Sequence, residues 1–176
     1  MEISKKIIEL KHWKLFFLIV LPLAWTSPSP LNEIINSIGI VSFGLWIYGI
    51  GIYGYEKIKE YEYGISDINI NRFKLNCKMT ILTLALIFIL INSFPESKSS
   101  FSIYDIILIP ISLYLSYTAF YTIIFAAKTL TILELKRKVT FVDYLLNLFL
   151  IGNLVIGIWF IQPKVKKLIL TETPNF

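Results

Sequence analysis

The chain has few of the residues on which catalytic and metal sites are built. Cys77 is the only cysteine and His12 the only histidine among 176 residues. A single cysteine excludes an intramolecular disulfide and a cluster of thiolate metal ligands. The sequence also lacks the HExxH, GxSxG and P-loop patterns of zinc peptidases, serine hydrolases and nucleotide-binding enzymes. We therefore expect a protein that is not an enzyme and that carries no cofactor or metal.

Charge is scarce as well. Only 16% of the residues are charged, against about a quarter in soluble domains, and 56% are hydrophobic, with a mean hydropathy of +0.68. The net charge of +5 does not indicate nucleic-acid binding, because the basic residues flank apolar runs and do not form one polar face. Such flanks fit anionic lipid headgroups better. The lipid bilayer is therefore the expected surrounding, and nucleic acid is not an expected partner.

Five apolar segments fill most of the chain. A membrane-crossing helix needs about 20 apolar residues, a length that only the first segment clearly misses. The pattern predicts an all-α fold, an integral membrane bundle of about five transmembrane helices in a single transmembrane domain over 1–176. The predicted helices are segment A (13–26), segment B (34–55), segment C (79–94), segment D (106–127) and segment E (141–162).

Local signals refine two of these segments. The glycines of segment B are spaced around the helix and do not form one GxxxG stripe, which predicts close approach to several neighbouring helices. Thr140 and Asp143 have the spacing of a capping box, which predicts that segment E begins there. Gln162 and Pro163 close the same segment.

The basic residues lie in alternate gaps, and basic loops stay in the cytoplasm during insertion. This places the N-terminus and the loops 56–78 and 128–140 on the cytoplasmic side of the cell inner membrane, and leaves only Lys98 in the outer turns. Five crossings would put the last lysines outside. Our expectation is that segment E crosses nonetheless; the alternative is four spans plus one re-entrant helix that bends at Gly152 and Asn153.

Polar residues within the apolar segments are the candidate functional residues, and none of them is ionisable at mid-depth, which argues against a proton-coupled transporter. Tyr114, Tyr117 and Tyr121 share one face of segment D. The other candidates are uncharged: Ser112 and Ser116 form a separate small-residue stripe, and Asn147 and Asn153 lie on segment E. We expect these residues to pack against other helices, with lining of a lumen as the alternative.

The stretch Gly157 to Lys164, which reads GIWFIQPK, follows a basic loop and an apolar helix. In this it resembles the end of a group of small uncharacterised multi-span bacterial membrane proteins with a Trp-x-x-Gln-Pro-Lys segment. The resemblance covers mainly segment E and implies a membrane location and no activity. Some such proteins carry a proline midway along this helix, where this chain has Asn153 and Leu154, so the resemblance leaves open whether the helix is kinked there.

The sequence thus predicts a non-enzymatic structural or accessory subunit of a membrane complex, with other membrane subunits or copies of itself as partners. One alternative is a small homo-oligomeric channel lined by segment D. A second alternative is a carrier for an uncharged or lipid-like substrate, which needs only uncharged polar contacts.

Overall fold

The computed structural model describes residues 2–25, 30–61, 68–93 and 103–170. All regular structure in these ranges is helical, which confirms the all-α prediction. The helices are α1 (Glu2–Glu9), α2 (His12–Ala24), α3 (Pro30–Glu60), α4 (Ile70–Ser93), α5 (Ile103–Leu135), α6 (Phe141–Gly152) and α7 (Leu154–Val165), followed by a π-helical segment (Lys166–Leu170).

Two helices in the described ranges are long and apolar enough to cross a membrane. These are α3 over Ile34–Glu60 and α5 over Leu108–Leu135. The pair α6 and α7 passes the same test only when its two members are taken together, and it is bent by 120°. The structure therefore supports membrane association, and five straight spans are not reproduced.

Several helix ends differ from the predicted ones. The predicted loop 128–140 is wrong over its first part, because α5 continues to Leu135. Lys128 marks no boundary, since Leu130, Ile132 and Leu133 beyond it are buried. The helix stops at Lys136, which takes the left-handed backbone with a φ of 52° and donates its N–H to the carbonyl of Ile132 at 2.8 Å.

The other predicted cytoplasmic loop, 56–78, is also largely helical where the structure describes it. Helix α3 continues to Glu60, and α4 begins at Ile70, capped by the side chain of Asn69, which accepts the N–H of Arg72 at 2.9 Å. Amphipathic α1 has no counterpart among the predicted helices. The predicted helix ends were wrong because they were placed where the apolar runs end, whereas the helices continue through polar residues.

Where the sequence predicts one domain, the described residues group into two compact units: residues of 1–68 with 123–176, and residues 69–122. The first unit has a continuous apolar core. The largest side chains fully buried there are those of Ile8, Leu15, Ile19, Trp46, Ile50, Ile58, Leu130, Ile132, Ile151, Ile158 and Ile161.

Glycines of α3 let three different helices approach it. A Cβ on Gly39 would meet Leu23 of α2, one on Gly49 would meet Ile8 of α1, and one on Gly54 would meet Thr129 of α5. The scattered glycines of segment B therefore do what their spacing predicts.

Segment E is not the continuous helix over 141–162 that the sequence predicts, because it breaks at Asn153. The backbone of Asn153 leaves the helical region, with φ −96° and ψ 76°, while its N–H still donates to Phe149 and its carbonyl accepts the N–H of Gly157. The chain then turns back so sharply that a Cβ on Gly157 would overlap the carbonyl group of Leu150. Only glycine fits at this point of the bend.

The α6–α7 pair exposes many large apolar side chains. Besides the isoleucines that it contributes to the core, it buries the amides of Asn147 and Gln162. The outward side chains include Phe141, Val142, Leu145, Leu146, Phe149, Val155, Ile156, Trp159 and Phe160. Such a surface is costly in water and suits contact with lipid.

The second unit is an antiparallel hairpin of α4 and the first part of α5. The hydroxyl of Thr80 donates to that of Thr118 at 3.0 Å, and Thr118 is fully buried. Nearer the start of α4, Arg72 meets Tyr117 and Tyr121.

Replacing Gly157 by alanine tests the bend. We expect Gly157→Ala to lower the free energy of unfolding by about 3 kcal/mol, because the new methyl group has to displace backbone. This corresponds to a fall in Tm of about 10 °C for a chain of this size, measured on the protein in mild detergent. The matched control is Gly152→Ala, where a Cβ meets nothing within 4 Å and Tm stays within about 3 °C. Equal effects of the two substitutions would contradict the close approach at Leu150.

Candidate functional site

The predicted tyrosine face of segment D exists as a ladder of rings on α5. Tyr114 and Tyr117 are 6.4 Å apart between ring centroids, and Tyr117 and Tyr121 are 6.5 Å apart. Tyr114 is 41% and Tyr117 is 47% exposed, while Tyr121 is half-buried. The three rings thus form one partly open surface, which we call the tyrosine ladder.

Arg72 of α4 is seated on this ladder. Its Nη2 donates to the hydroxyl of Tyr117 at 2.8 Å, and its guanidinium lies 5.2 Å from the ring centroid of Tyr121. A cation over an aromatic face is attracted by the ring quadrupole. The sequence interpretation placed Arg72 in a loop and did not connect it to the tyrosines, because the contact joins residues 45 positions apart.

Ser112 and Ser116 are both exposed, so within the described residues they do not pack in a helix interface. The hydroxyl of Ser116 donates to the carbonyl of Ser112 at 2.9 Å, which satisfies it within α5. Together with Leu108, Ile109 and Leu113, the two serines line an open groove of about 400 Å³. The small polar residue that α5 does bury against α4 is Thr118.

Asn147 lies at the centre of a polar cluster in the first unit. It is buried, and its Nδ2 donates to the hydroxyl of Thr131 at 2.8 Å. Its Oδ1 accepts from Nζ of Lys164 at 3.2 Å, and Lys164 also pairs with Glu134 at 3.0 Å. The side chains of the cluster are hydrogen-bonded or ion-paired to one another, and they connect α5, α6 and α7. The cluster therefore has a structural role.

Asn153, by contrast, is placed at the break between α6 and α7 and belongs to no polar cluster among the described contacts. Its backbone, and not a side-chain hydrogen bond, makes the turn. The site prediction for Asn153 as a packing or lumen-facing residue stays untested, whereas its role as the bend is observed.

Gln162, which the sequence analysis used only as a helix end, is a buried side chain that makes three hydrogen bonds. It is 1% exposed. Its Oε1 accepts the indole N–H of Trp46 at 2.8 Å, and its Nε2 donates to the carbonyls of Ile8 and Leu10 at 2.6 and 2.8 Å. Only its position beside Trp159 and Pro163 in an apolar run could have marked it as buried.

The capping box predicted at the start of α6 is confirmed. Asp143 accepts the backbone N–H of Thr140 at 2.7 Å and pairs with Arg137 at 3.0 Å. Asp143 lies at the exposed start of α6, outside the two helices that can cross a membrane. The Thr140 backbone hydrogen bond first, then the Thr140 hydroxyl and Arg137, hold the pKa of this carboxyl below its usual value, so it is charged at neutral pH.

No group of three or more His, Cys, Asp or Glu side chains with metal-binding geometry occurs in the described ranges. No protein-family model matches the chain, and no curated protein and no solved structure shows a significant similarity to it. The contacts above are therefore the basis for any functional statement.

The role of Gln162 can be measured by removing its amide. We expect Gln162→Met to lower the free energy of unfolding by about 3 kcal/mol, because the buried indole N–H of Trp46 and two carbonyls lose their partner. Hydrogen exchange of the α1 amides should rise at the same time. The control is a double-mutant cycle with Trp46→Phe, in which we expect about 1 kcal/mol of coupling. Strict additivity would show that the two side chains do not interact.

Proposed function

We propose that the chain is a non-enzymatic accessory subunit of an inner-membrane complex and that it binds a helix of another membrane subunit through the outer half of α3. The observation that carries this proposal is a pair of shielded amide oxygens. Oδ1 of Asn32 and Oδ1 of Asn36 are buried from solvent and have no donor among the described residues. A shielded acceptor in an apolar helix calls for a hydrogen-bond donor from elsewhere.

The surface beside these two asparagines supports a helix as the occupant. Asn32, Asn36, Ile40 and Gly44 follow one another at four-residue spacing along one side of α3; Ile40 is exposed, and a Cβ on Gly44 would meet nothing within 4 Å. In lipid, small residues and polar side chains hold helices together, because apolar contact alone gains little over contact with lipid tails. This face of α3 offers both.

Contacts within the first unit support a proposal for the sidedness of the protein. Lys164 pairs with Glu134, next to the basic run 136–138, and Gln162 contacts the carbonyls of Ile8 and Leu10 beside the N-terminal lysines. Three of the basic clusters therefore lie at one end. The positive-inside rule supports a cytoplasmic location for that end, including both the N-terminal region and the C-terminal lysines.

We therefore propose four crossings, by α2, α3, α4 and α5, with α6 and α7 entering the membrane and returning. Helices α6 and α7 have 12 residues each, or about 18 Å, well short of the roughly 30 Å hydrocarbon core. Helix α2, with 13 residues, is also short, and its crossing requires local thinning of the bilayer or lysines that reach to the interface. A 120° bend at Asn153 returns the chain towards the side it came from. The five-span arrangement is replaced by its alternative here.

Single-cysteine labelling tests this topology. In a Cys77→Ser background, we expect cysteines introduced by Lys5→Cys, Lys138→Cys and Lys167→Cys to resist an impermeant thiol reagent in spheroplasts until the membrane is permeabilised. Cysteine at the predicted outer turn, from Lys98→Cys, serves as the accessible control. Labelling of Lys167→Cys from outside would restore the fifth crossing and contradict the re-entrant pair.

Photo-crosslinking tests the partner. A photoreactive residue at Ile40 should join the chain to one defined membrane polypeptide in near-stoichiometric yield, and one at exposed Phe120 on α5 should not. Asn36→Leu should abolish the product without lowering Tm, because it removes the shielded acceptor. A product of twice the mass of the chain would indicate self-association instead, and no product at Ile40 would contradict the proposed face.

The channel alternative has less support. It requires the tyrosine ladder to face a lumen, whereas Tyr117 and Tyr121 are engaged by Arg72 of the same hairpin. It stays a prediction, and ion flux in liposomes carrying the purified chain is its direct measurement.

A further inference from the structure

We propose that the hairpin of α4 and α5 is a binding site for an anionic phospholipid, with the phosphate held by Arg72 and Tyr117 and one acyl chain in the groove beside Tyr114. The proposal rests on membrane residence and is independent of the partner helix proposed for α3. Every residue that it uses belongs to the unit 69–122.

The headgroup end has the donors that a phosphate needs. A guanidinium has five N–H donors in a planar fork, of which Tyr117 takes one at 2.8 Å. The ring of Tyr121, whose centroid lies 5.2 Å from the guanidinium, and the hydrogen bond to Tyr117 together hold Arg72 in place, and a guanidinium fork suits bidentate contact with a phosphate. Tyr117 accepts in this pair, which leaves its hydroxyl proton for an anion.

None of the residues that the structure describes neutralises the charge of this end. Arg72 forms no ion pair with any residue that the structure describes, and Lys74 and Lys78 are exposed on the same helix. Helix α4 contains no acidic residue, and Asp105 lies near the start of α5, at the other end of the hairpin. The N-terminus of α4 adds its own partial positive charge. Each of these features attracts an anion.

An apolar groove of about 340 Å³ leads away from the charged end. Tyr114 lines it, and the ring of Tyr114 contacts that of Tyr117, which makes the groove continuous with the headgroup end. The hydroxyl of Thr83 donates to the carbonyl of Met79, so the lining is mostly apolar, with the hydroxyl of Tyr114 as its other side-chain polar group. The lining residues are Met79, Leu82, Thr83, Leu86, Pro110, Ile111 and Tyr114.

The dimensions fit one lipid leaflet. Thr83 lies 11 residues beyond Arg72 on α4, a rise of about 16 Å. Half of a hydrocarbon core of about 30 Å is about 15 Å. A phosphate on Arg72 therefore places an acyl chain along the groove, at the depth where lipid tails lie.

The test is native mass spectrometry of the full chain in detergent micelles, titrated with dioleoyl phosphatidylglycerol or dioleoyl phosphatidylcholine. The two lipids have the same tails and differ in headgroup charge. We expect about fivefold more bound phosphatidylglycerol, the factor that one surface arginine supplies. Arg72→Gln should reduce this ratio to about one, and Tyr117→Phe should reduce it by about half. Arg137→Gln, which removes an exposed arginine elsewhere, should leave it unchanged.

The groove is tested separately from the headgroup. Leu86→Trp fills it and should lower binding of both lipids, while Leu113→Trp, outside the groove, should not. Equal binding of the two lipids by the unsubstituted chain would overturn the proposal. Displacement by millimolar inorganic phosphate would overturn it too, because the site would then take a free anion. If the Arg72→Gln variant shows no thermal transition and is therefore unfolded, the Tyr117→Phe variant provides the test. An unchanged ratio of bound phosphatidylglycerol to bound phosphatidylcholine in that variant would contradict the site.

Discussion

One buried amide organises the first unit. Gln162 is surrounded by apolar side chains, where an unpaired amide costs several kcal/mol, and it is satisfied by Trp46 and by two carbonyls near the N-terminus. These hydrogen bonds require α7 to lie beside α3 and beside the chain between α1 and α2. The chain reaches this position of α7 through the 120° bend between α6 and α7, and the bend requires glycine at position 157. The position of Gln162 therefore depends on the bend, and the bend depends on the glycine.

The buried amides of α6 and α7 are accompanied by exposed aromatic rings. In water, the amides of Asn147 and Gln162 would face outward and the rings of Phe149 and Trp159 inward; here the arrangement is reversed. A lipid surrounding makes this reversal favourable, since the bilayer core offers no hydrogen bonds and readily accepts apolar side chains. The polar contacts then determine which helices meet, because apolar contact in lipid discriminates poorly among neighbours.

The sequence predicted those features that depend on neighbouring residues. The capping box at Thr140 and Asp143, the several close approaches of the α3 glycines, and the bend at Gly152 and Asn153 in the alternative arrangement all follow from local chemistry. Helix ends at 60, 70 and 135 were missed, because polar residues in an amphipathic turn look like a loop when only apolar runs are scored. The contacts of Gln162 and of Arg72 could not be read from the sequence, since each joins residues far apart in the chain.

The separation of Ile8 and Gln162 along the chain affects the order in which the fold can form. The carbonyl of Ile8 meets its partner 154 residues later, so the N-terminal helix is synthesised long before Gln162. Closing so long a loop is slow, and the final docking follows the completion of the polypeptide. A nascent or truncated product ending before α7 leaves the indole of Trp46 without its acceptor and the carbonyls of Ile8 and Leu10 without their donor, so the contact that holds the N-terminal helix in place cannot form.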